Sequence, residues 1–174
     1  MGEIMIKKTT KEKVMDYIAY FFIYSFLGWI IETIYAFIIH GDFVKRGFLF
    51  GPICPIYGFG AVILLLATKK MYGKPFQKFL IATVLFTVFE YLVSLIFEEI
   101  FGLRWWDYSN DFLNIQGRVS LMYTIFWGLI GLILLEKLHP LIENLIQKIE
   151  VKIKTSAILI LHFVISSLKY LNIF

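Results

Sequence analysis

Residues 78–101 read KFLIATVLFTVFEYLVSLIFEEIF, a nearly unbroken apolar run with Glu90 near its centre. Such a run is long enough to cross a membrane, since a transmembrane helix needs about 20 mainly apolar residues. Arg104 follows Glu90 by fourteen residues, just beyond the end of the run. A charged group at the centre of a bilayer costs about 3 kcal/mol, so a glutamate there usually faces a partner or a watery cavity. Glu90 is therefore a candidate functional residue.

An earlier apolar stretch, from Tyr17 to Ile39, repeats this arrangement. Glu32 lies inside the stretch, and Arg46 follows Glu32 by the same fourteen residues. The matched spacing indicates a duplicated helical hairpin that carries an acidic helix and a basic loop.

The composition favours a membrane protein. Hydrophobic residues make up 59% of the 174 positions, more than in ordinary soluble domains, and the mean hydropathy is +0.77. Three further apolar stretches cover residues 55–68, 120–136 and 157–174. We predict an all-α, polytopic membrane protein with about five transmembrane helices, in an arrangement consistent with two duplicated hairpins plus an interfacial amphipathic helix.

Positive charges predict the orientation of this single integral membrane domain, residues 1–174. Lysines precede the first stretch, separate the second from the third, and separate the fourth from the fifth. Lysine in short loops marks the cytoplasmic side. We therefore predict a multi-pass protein of the cell (cytoplasmic) membrane with its N-terminus inside. Its parts are a cytoplasmic N-terminus (1–16), a four-helix core with motif loops (17–136), an amphipathic cytoplasmic helix (137–156) and a last helix (157–174).

Several classes of site have no signature in the chain. The single cysteine, Cys54, excludes an internal disulfide, and the three scattered histidines show no metal-ligand spacing. No GxxxxGK[ST] phosphate loop occurs. The lysines are dispersed among the spans, which argues against nucleic acid as a partner. We expect no cofactor, no metal and no catalytic triad, and the sequence leans away from an enzyme.

The three arginines all fall in loops assigned to the outside, against the positive-inside bias. Arginine has a planar fork suited to carboxylates and phosphates. One interpretation is an anion clamp at the outer mouth. The other is a structural role, in which the arginines attach the loops to the helices by pairing with acidic residues. The arginines are Arg46, Arg104 and Arg118, and their candidate partners are Glu32, Glu90, Glu98 and Asp107.

The second outer loop, FGLRWWDYSNDFLNIQGRVS from Phe101 to Ser120, has an unusual composition. Trp106 and Tyr108 are typical of the membrane–water interface. Interface aromatics alone do not account for Asp107 among them, or for Asn114 further on. We expect this loop to fold over the bundle as a lid or plug.

Residues 138–154 alternate apolar and polar positions at helical spacing, with Pro140 suited to a first helical turn. A helix lying in the cytoplasmic interface is the main interpretation. A docking helix for a separate ATPase subunit and a coiled-coil contact between copies are the alternatives.

Four segments together resemble a known family. They are FLGWIIETIY, KRGFLFGPICPIYGFG, FEYLVSLIFEEIFGLRWWDYS and GRVSLMYTIFWG. This combination, over roughly residues 17–136, resembles the family named Putative ABC-transporter type IV, a group of small polytopic membrane proteins. The name implies a permease of unidentified substrate. By this resemblance the first-half motif includes Glu32, Arg46 and Tyr57, and the second-half motif includes Glu90, Glu98, Trp106, Asp107, Tyr108, Asn114 and Arg118.

Three functions remain open from the sequence. The first is a transporter or permease component for a small anionic or zwitterionic solute, which would use the intramembrane glutamates and the outer-loop arginines. The second is a membrane scaffold or accessory protein with a structural polar network, and the third is a lipid-modifying membrane enzyme. Four or five spans make a thin translocation path, so the transporter interpretation implies a homodimer or another partner within the lipid bilayer.

Overall fold

The structure, a computed structural model, describes residues 8–41, 52–71, 73–149 and 153–160. Within these ranges the regular secondary structure is helical, and the described residues contain no β-strand, only an isolated β-bridge between Ile115 and Val119. The helices are α1 (Thr10–His40), α2 (Pro55–Thr68), α3 (Pro75–Phe101), α4 (Leu121–Ile133) and α5 (His139–Gln147), with a π-helical turn at Leu134–Leu138 between α4 and α5. Residues 153–160 are also helical.

Three helical segments are long and apolar enough to cross a membrane: Thr10–Ile38, Pro75–Phe101 and Leu121–Gln147. A further apolar helix, α2, has 14 residues and is shorter than these three. The predicted all-helical, polytopic class is therefore confirmed. The fifth predicted stretch, 157–174, lies outside the described residues after position 160, so the count of five stays a prediction.

The helix boundaries agree with the sequence for α2 and differ for α1. The first helix begins at Thr10, seven residues before the predicted Tyr17, because a capping box precedes it. Thr9 Oγ1 accepts a hydrogen bond from the Glu12 backbone N–H at 3.2 Å, and Glu12 accepts one from the Thr9 N–H at 2.7 Å. These bonds satisfy amide groups that have no partner inside the helix.

The fourth predicted helix does not end at Glu136. It passes through the π-helical turn and continues as α5 to Gln147, so that one helical segment covers Leu121–Gln147. Proline lacks the N–H that an α-helix uses, and a wide turn relieves the strain without ending the helix. Pro140 is the second residue of α5 and so lies in the first turn of that helix, as the sequence predicts, although α5 continues the preceding helical segment without a break.

The chain divides into two compact units, and each is described by itself. The first unit comprises Met1–Val62 and Ile142–Phe174, and the second comprises Ile63–Leu141. In the first unit α1 approaches the start of α2 so closely that a Cβ on Gly28 would overlap the Tyr57 ring. Gly58 faces α1 in the same way.

The second unit is built on close packing between α3 and α4. A Cβ at Gly128 would overlap Thr83, and one at Gly131 would come within 2.5 Å of Ala82. Small residues allow two helices to approach in this manner inside a membrane. The loop of residues 102–120 joins these two helices, and their close packing fixes both of its ends.

Candidate functional site

Glu90 is the buried acidic residue of α3, with 7% of its surface exposed. Its Oε1 accepts a hydrogen bond of 3.1 Å from the Tyr108 hydroxyl, and the Trp127 indole N–H on α4 also interacts with the carboxylate. Oε2 is buried and makes no hydrogen bond of ordinary geometry within the described residues. Glu90 is therefore held by two neutral donors, Tyr108 and Trp127.

Two contacts besides the hydrogen bond to Glu90 hold Tyr108 in position. Its ring stacks on Tyr123 with 4.2 Å between centroids and 17° between planes. Its backbone N–H donates to the Gly117 carbonyl at 2.8 Å. Burial, and then the neighbouring Glu90 carboxylate, raise the pKa of the Tyr108 hydroxyl above its usual value of 10.0. The hydroxyl therefore keeps its proton and acts as a donor.

Arg118, in the loop between α3 and α4, contacts α3 further along the face that carries Glu90. Arg118 is buried, with 8% of its surface exposed, and its guanidinium donates to Ser94 Oγ at 3.3 Å and forms an ion pair with Glu98. It also lies 5.9 Å from the centre of the Tyr91 ring, a distance typical of cation–π contact. Because residues four apart share a helix face, Glu90, Ser94 and Glu98 form one polar stripe.

Arg104 is also engaged inside the loop. Its Nη2 donates to the Gln116 carbonyl at 2.7 Å and lies 3.4 Å from Asp107 Oδ1. Asp107 also accepts hydrogen bonds from the Ser109 hydroxyl and from its backbone N–H, and these bonds, with Arg104, lower the pKa of the Asp107 carboxyl. Two of the ion pairs that the structural interpretation anticipated, Arg118–Glu98 and Arg104–Asp107, are therefore present.

Asn114 and Trp106 hold the loop in shape. The Asn114 amide donates to the carbonyls of Ser109 (3.1 Å) and Asp111 (2.9 Å) and accepts from the Gly117 N–H (3.0 Å). The Trp106 indole donates to the Arg118 carbonyl at 2.8 Å. The aromatic and polar residues of this loop therefore form an ordered network that packs on α3.

In the first unit Glu32 has an analogous partner. The Tyr57 hydroxyl donates to Glu32 Oε1 at 2.5 Å, from α2 to α1. Cys54 is buried just before α2, and burial, reinforced by the charge of Glu32, raises the pKa of its thiol to about 11. A tyrosine therefore bonds the intramembrane glutamate in each half of the chain.

Two sequence expectations stay untested. Arg46 lies in residues 42–51, outside the described part of the chain. Glu32 and Glu90 belong to different units, so their shared interior remains a prediction.

The structure adds two residues that the sequence analysis did not select. Ser94 binds Arg118, and its spacing of four residues from both Glu90 and Glu98 is a signal that could have identified it. Gln116 accepts from Tyr91 at 2.7 Å and holds Arg104 through its carbonyl, and no sequence pattern indicates it. In the part of the chain that the structure describes, no group of three or more His, Cys, Asp or Glu side chains could hold a metal ion.

A known protein family matches most of the chain. The model of the family described as Putative ABC-transporter type IV matches residues 19–169. A search of curated proteins and a search of solved structures each return no significant match. The matched segment includes the polar stripe of α3, the loop that packs on it, and both intramembrane glutamates. With its membrane-length apolar helices and this match over far more than half of its length, the chain belongs to the Putative ABC-transporter type IV family.

Proposed function

We propose that this chain is the membrane-embedded component of an ABC-type transport system for a small anionic or zwitterionic solute, located in the cell membrane. Family membership and three helices of membrane-spanning length support a transport component. The finer proposal, which concerns the solute and the residues that bind it, rests on the polar stripe of α3.

The state of Glu90 carries the proposal. A carboxylate at the middle of an apolar helix is costly, and such residues are generally functional. Glu90 has only neutral hydrogen-bond donors in the second unit, whereas Glu98, Asp107 and Glu136 each have a cationic partner there. The Glu90 carboxylate therefore has no counter-charge within the described residues of the second unit, and a cationic group of a solute would supply one.

Arg118 offers the complementary group. Its contacts use Nε and Nη1, and Nη2 makes no hydrogen bond within the described residues. Ser94, which Arg118 contacts, lies one helical turn from Glu90, an axial distance of about 6 Å at 1.5 Å per residue. A zwitterion with its ammonium at Glu90 and its anionic group at Arg118 fits this spacing.

Energy for transport would come from a separate ATPase subunit, because the sequence lacks a phosphate-binding loop. A second copy of the chain or another membrane subunit would complete the path. We expect such partners to co-purify with the protein in mild detergent.

The solute proposal is tested by thermal stability of the purified protein against amino acids, betaines and simple phosphates. A ligand that binds the folded state raises its stability by mass action. We expect one class to raise the melting temperature of the parent, and the effect to disappear in Glu90→Gln and Arg118→Lys. The matched control is Glu99→Gln, an exposed position on the same helix, which should keep the effect. No stabilisation of the parent, or equal stabilisation of all variants, would reject the site.

A scaffold is the second candidate, favoured by the ion pairs Arg118–Glu98 and Arg104–Asp107, which attach the loop without any ligand. If Glu90 has only this structural role, Glu90→Gln keeps its hydrogen-bonding capacity and should leave all measured activity of the system unchanged. Loss of activity in a variant that melts like the parent would reject the scaffold.

We also propose that the N-terminus is cytoplasmic. Leu103→Cys, after α3, should react with an impermeant thiol reagent in intact cells. Gly73→Cys, before α3, should react only after permeabilisation. The protonated, buried Cys54 thiol contributes little background, because the thiolate is the reactive form. The reverse pattern would invert the orientation.

A further inference from the structure

Two lysines that are far apart in the sequence converge on one aspartate of α1. Lys154, in the helical segment of residues 153–160, donates to Asp16 Oδ1 at 2.6 Å, and Lys8 forms an ion pair with Asp16 Oδ2. All three residues, which we call the basic cluster, belong to the first compact unit. Since one carboxylate faces two ammonium groups, the cluster carries one positive charge in excess.

The interior of the basic cluster is nearly closed to solvent. The side chains of Asp16 and Lys154 are 7% and 5% exposed. Excess charge is costly in such surroundings unless another group compensates it. An ammonium group has three N–H donors, and Asp16 is the one acceptor of Lys154 Nζ among the described residues. Lys154 therefore has donors as well as charge to offer to an anionic group.

Lys8 provides the open side of the cluster. Its side chain is 35% exposed, so an anion can reach its ammonium group without any unfolding of α1. The neighbouring Glu12 carboxylate accepts hydrogen bonds from Thr9 in the capping box and forms no ion pair with Lys8. Glu143, which interacts electrostatically with Tyr20 further along α1, forms no ion pair with a described residue. The nearby acidic residues therefore leave the excess charge of the cluster uncompensated.

The sequence around the cluster is also basic. Residues 8–16 together with Lys154 hold four lysines and two acidic residues, an excess of two positive charges. Two of these lysines, Lys11 and Lys13, are exposed. Such a local excess raises the concentration of anions near the surface.

The cluster lies where polar sequence gives way to apolar sequence. Asp16 directly precedes the apolar stretch that begins at Tyr17 in the membrane-length helix α1, and Lys154 precedes the stretch that begins at residue 157. The headgroup regions of a bilayer flank its hydrocarbon core, so the phosphate groups of lipids lie at this level. Basic pockets between membrane helices bind such headgroups. An anionic phospholipid therefore matches both the charge and the position of the cluster.

We propose that the basic cluster binds the phosphate group of an anionic phospholipid, with the ammonium groups of Lys8 and Lys154 as its donors. Asp16 holds the two lysines in place. A soluble phosphate ester presents the same group and is the second possible source. Because the two lysines come from segments far apart in the sequence, the bound phosphate braces residues 153–160 against the start of α1. This role is independent of which solute the protein handles.

The thermal stability of the purified protein in a neutral detergent tests the proposal. Dioleoylphosphatidylglycerol is the anionic lipid probe, dioleoylphosphatidylcholine is the neutral lipid control, and glycerol 3-phosphate is the soluble probe, all at equal ionic strength. Lys8→Gln and Lys154→Gln each leave Asp16 with the other lysine, so one informative variant remains if the other misfolds. Lys11→Gln removes the same charge at an exposed position that has no ion pair among the described residues, and is the matched control.

We expect phosphatidylglycerol, and not phosphatidylcholine, to raise the melting temperature of the parent by about 3 °C, as a ligand of the folded state does. The rise should disappear in Lys8→Gln and Lys154→Gln. It should persist in Lys11→Gln and also in Arg118→Lys, which separates this site from the polar stripe of α3. A rise with phosphatidylglycerol alone identifies a lipid as the source, and an equal rise with glycerol 3-phosphate identifies a soluble ester.

Three results would overturn the proposal. The first is no rise in the parent with either phosphate probe. The second is the same rise in the parent and in both cluster variants, Lys8→Gln and Lys154→Gln, which would make the cluster a purely structural ion pair. The third is an equal loss in Lys11→Gln, which would assign the effect to diffuse positive charge.

Discussion

The Tyr108 hydroxyl donates a hydrogen bond of 3.1 Å to Glu90 Oε1 and thereby ties the loop after α3 to the middle of that helix. The two residues are 18 positions apart, and the segment between them includes the end of α3 and its C-cap, so the loop must turn back to make the bond. The bond also provides an intramembrane carboxylate with a neutral partner in place of a cation. Glu90 therefore differs from Glu98, which is neutralised by Arg118 two turns further along.

Tyr108→Phe should destabilise the protein by about 1 kcal/mol, the typical net value of one hydrogen bond. The phenylalanine ring keeps the stacking on Tyr123, so the loss isolates the hydroxyl. The measurement is the free energy of unfolding in mixed detergent micelles. Tyr35→Phe, at an exposed position on α1, is the control and should change stability by less than about 0.5 kcal/mol. Equal effects of the two variants would show that the Tyr108–Glu90 bond is unimportant for stability.

Glu98→Gln should destabilise the protein by about 2 kcal/mol, because it leaves the nearly buried Arg118 guanidinium without its counter-charge. Glu99→Gln is the matched control on the next residue, which is exposed and makes no ion pair among the described residues. Melting temperatures of the two variants, measured side by side, give the comparison. If Glu98→Gln and Glu99→Gln have the same melting temperature, the Arg118–Glu98 ion pair contributes nothing measurable to stability.

Gly117→Ala should destabilise the loop more than Gly102→Ala. Both glycines have left-handed φ angles, 67° and 63°, so both alanines carry a similar backbone penalty of about 1 kcal/mol. Gly102 faces open space, whereas a Cβ at Gly117 would overlap Arg104 and come within 2.5 Å of Asp107. Limited proteolysis within residues 102–120 and the melting temperature both measure the difference. Equal behaviour would mean that the crowding around Gly117 relaxes freely.

Acid should weaken the loop through Asp107. Its folded-state pKa is lowered, chiefly by hydrogen bonds from Ser109, so its stabilising contribution is complete above the usual value of 3.8. The contribution is lost as pH falls through the lowered folded-state pKa. Between pH 6 and pH 3 the parent should therefore lose more stability than Asp107→Asn, which cannot titrate. Ser109→Ala should reduce the difference, and parallel pH profiles of parent and Asp107→Asn would contradict this account.

The positions of the helices could largely be predicted from the sequence. Apolar runs of sufficient length form helices in a membrane because no other local structure satisfies their backbone there, and α2 begins and ends where its apolar run does. Local details shifted other boundaries, such as the capping box at Thr9 and the wide turn before Pro140. The two intramembrane glutamates were also evident, because charge in an apolar run is rare.

The partners of the charged residues were decided only by the tertiary structure. Equal spacing linked Glu90 with Arg104 in the sequence, yet Arg104 contacts Asp107 and Gln116, and Glu90 contacts Tyr108. Arg118 selects Glu98 from several acidic residues because the loop runs back along α3. That path depends on side chains about twenty residues apart and on two strained backbone positions, and no local pattern encodes such a combination. The sequence determined which polar groups lie at membrane depth, and the path of the loop determined which of them meet.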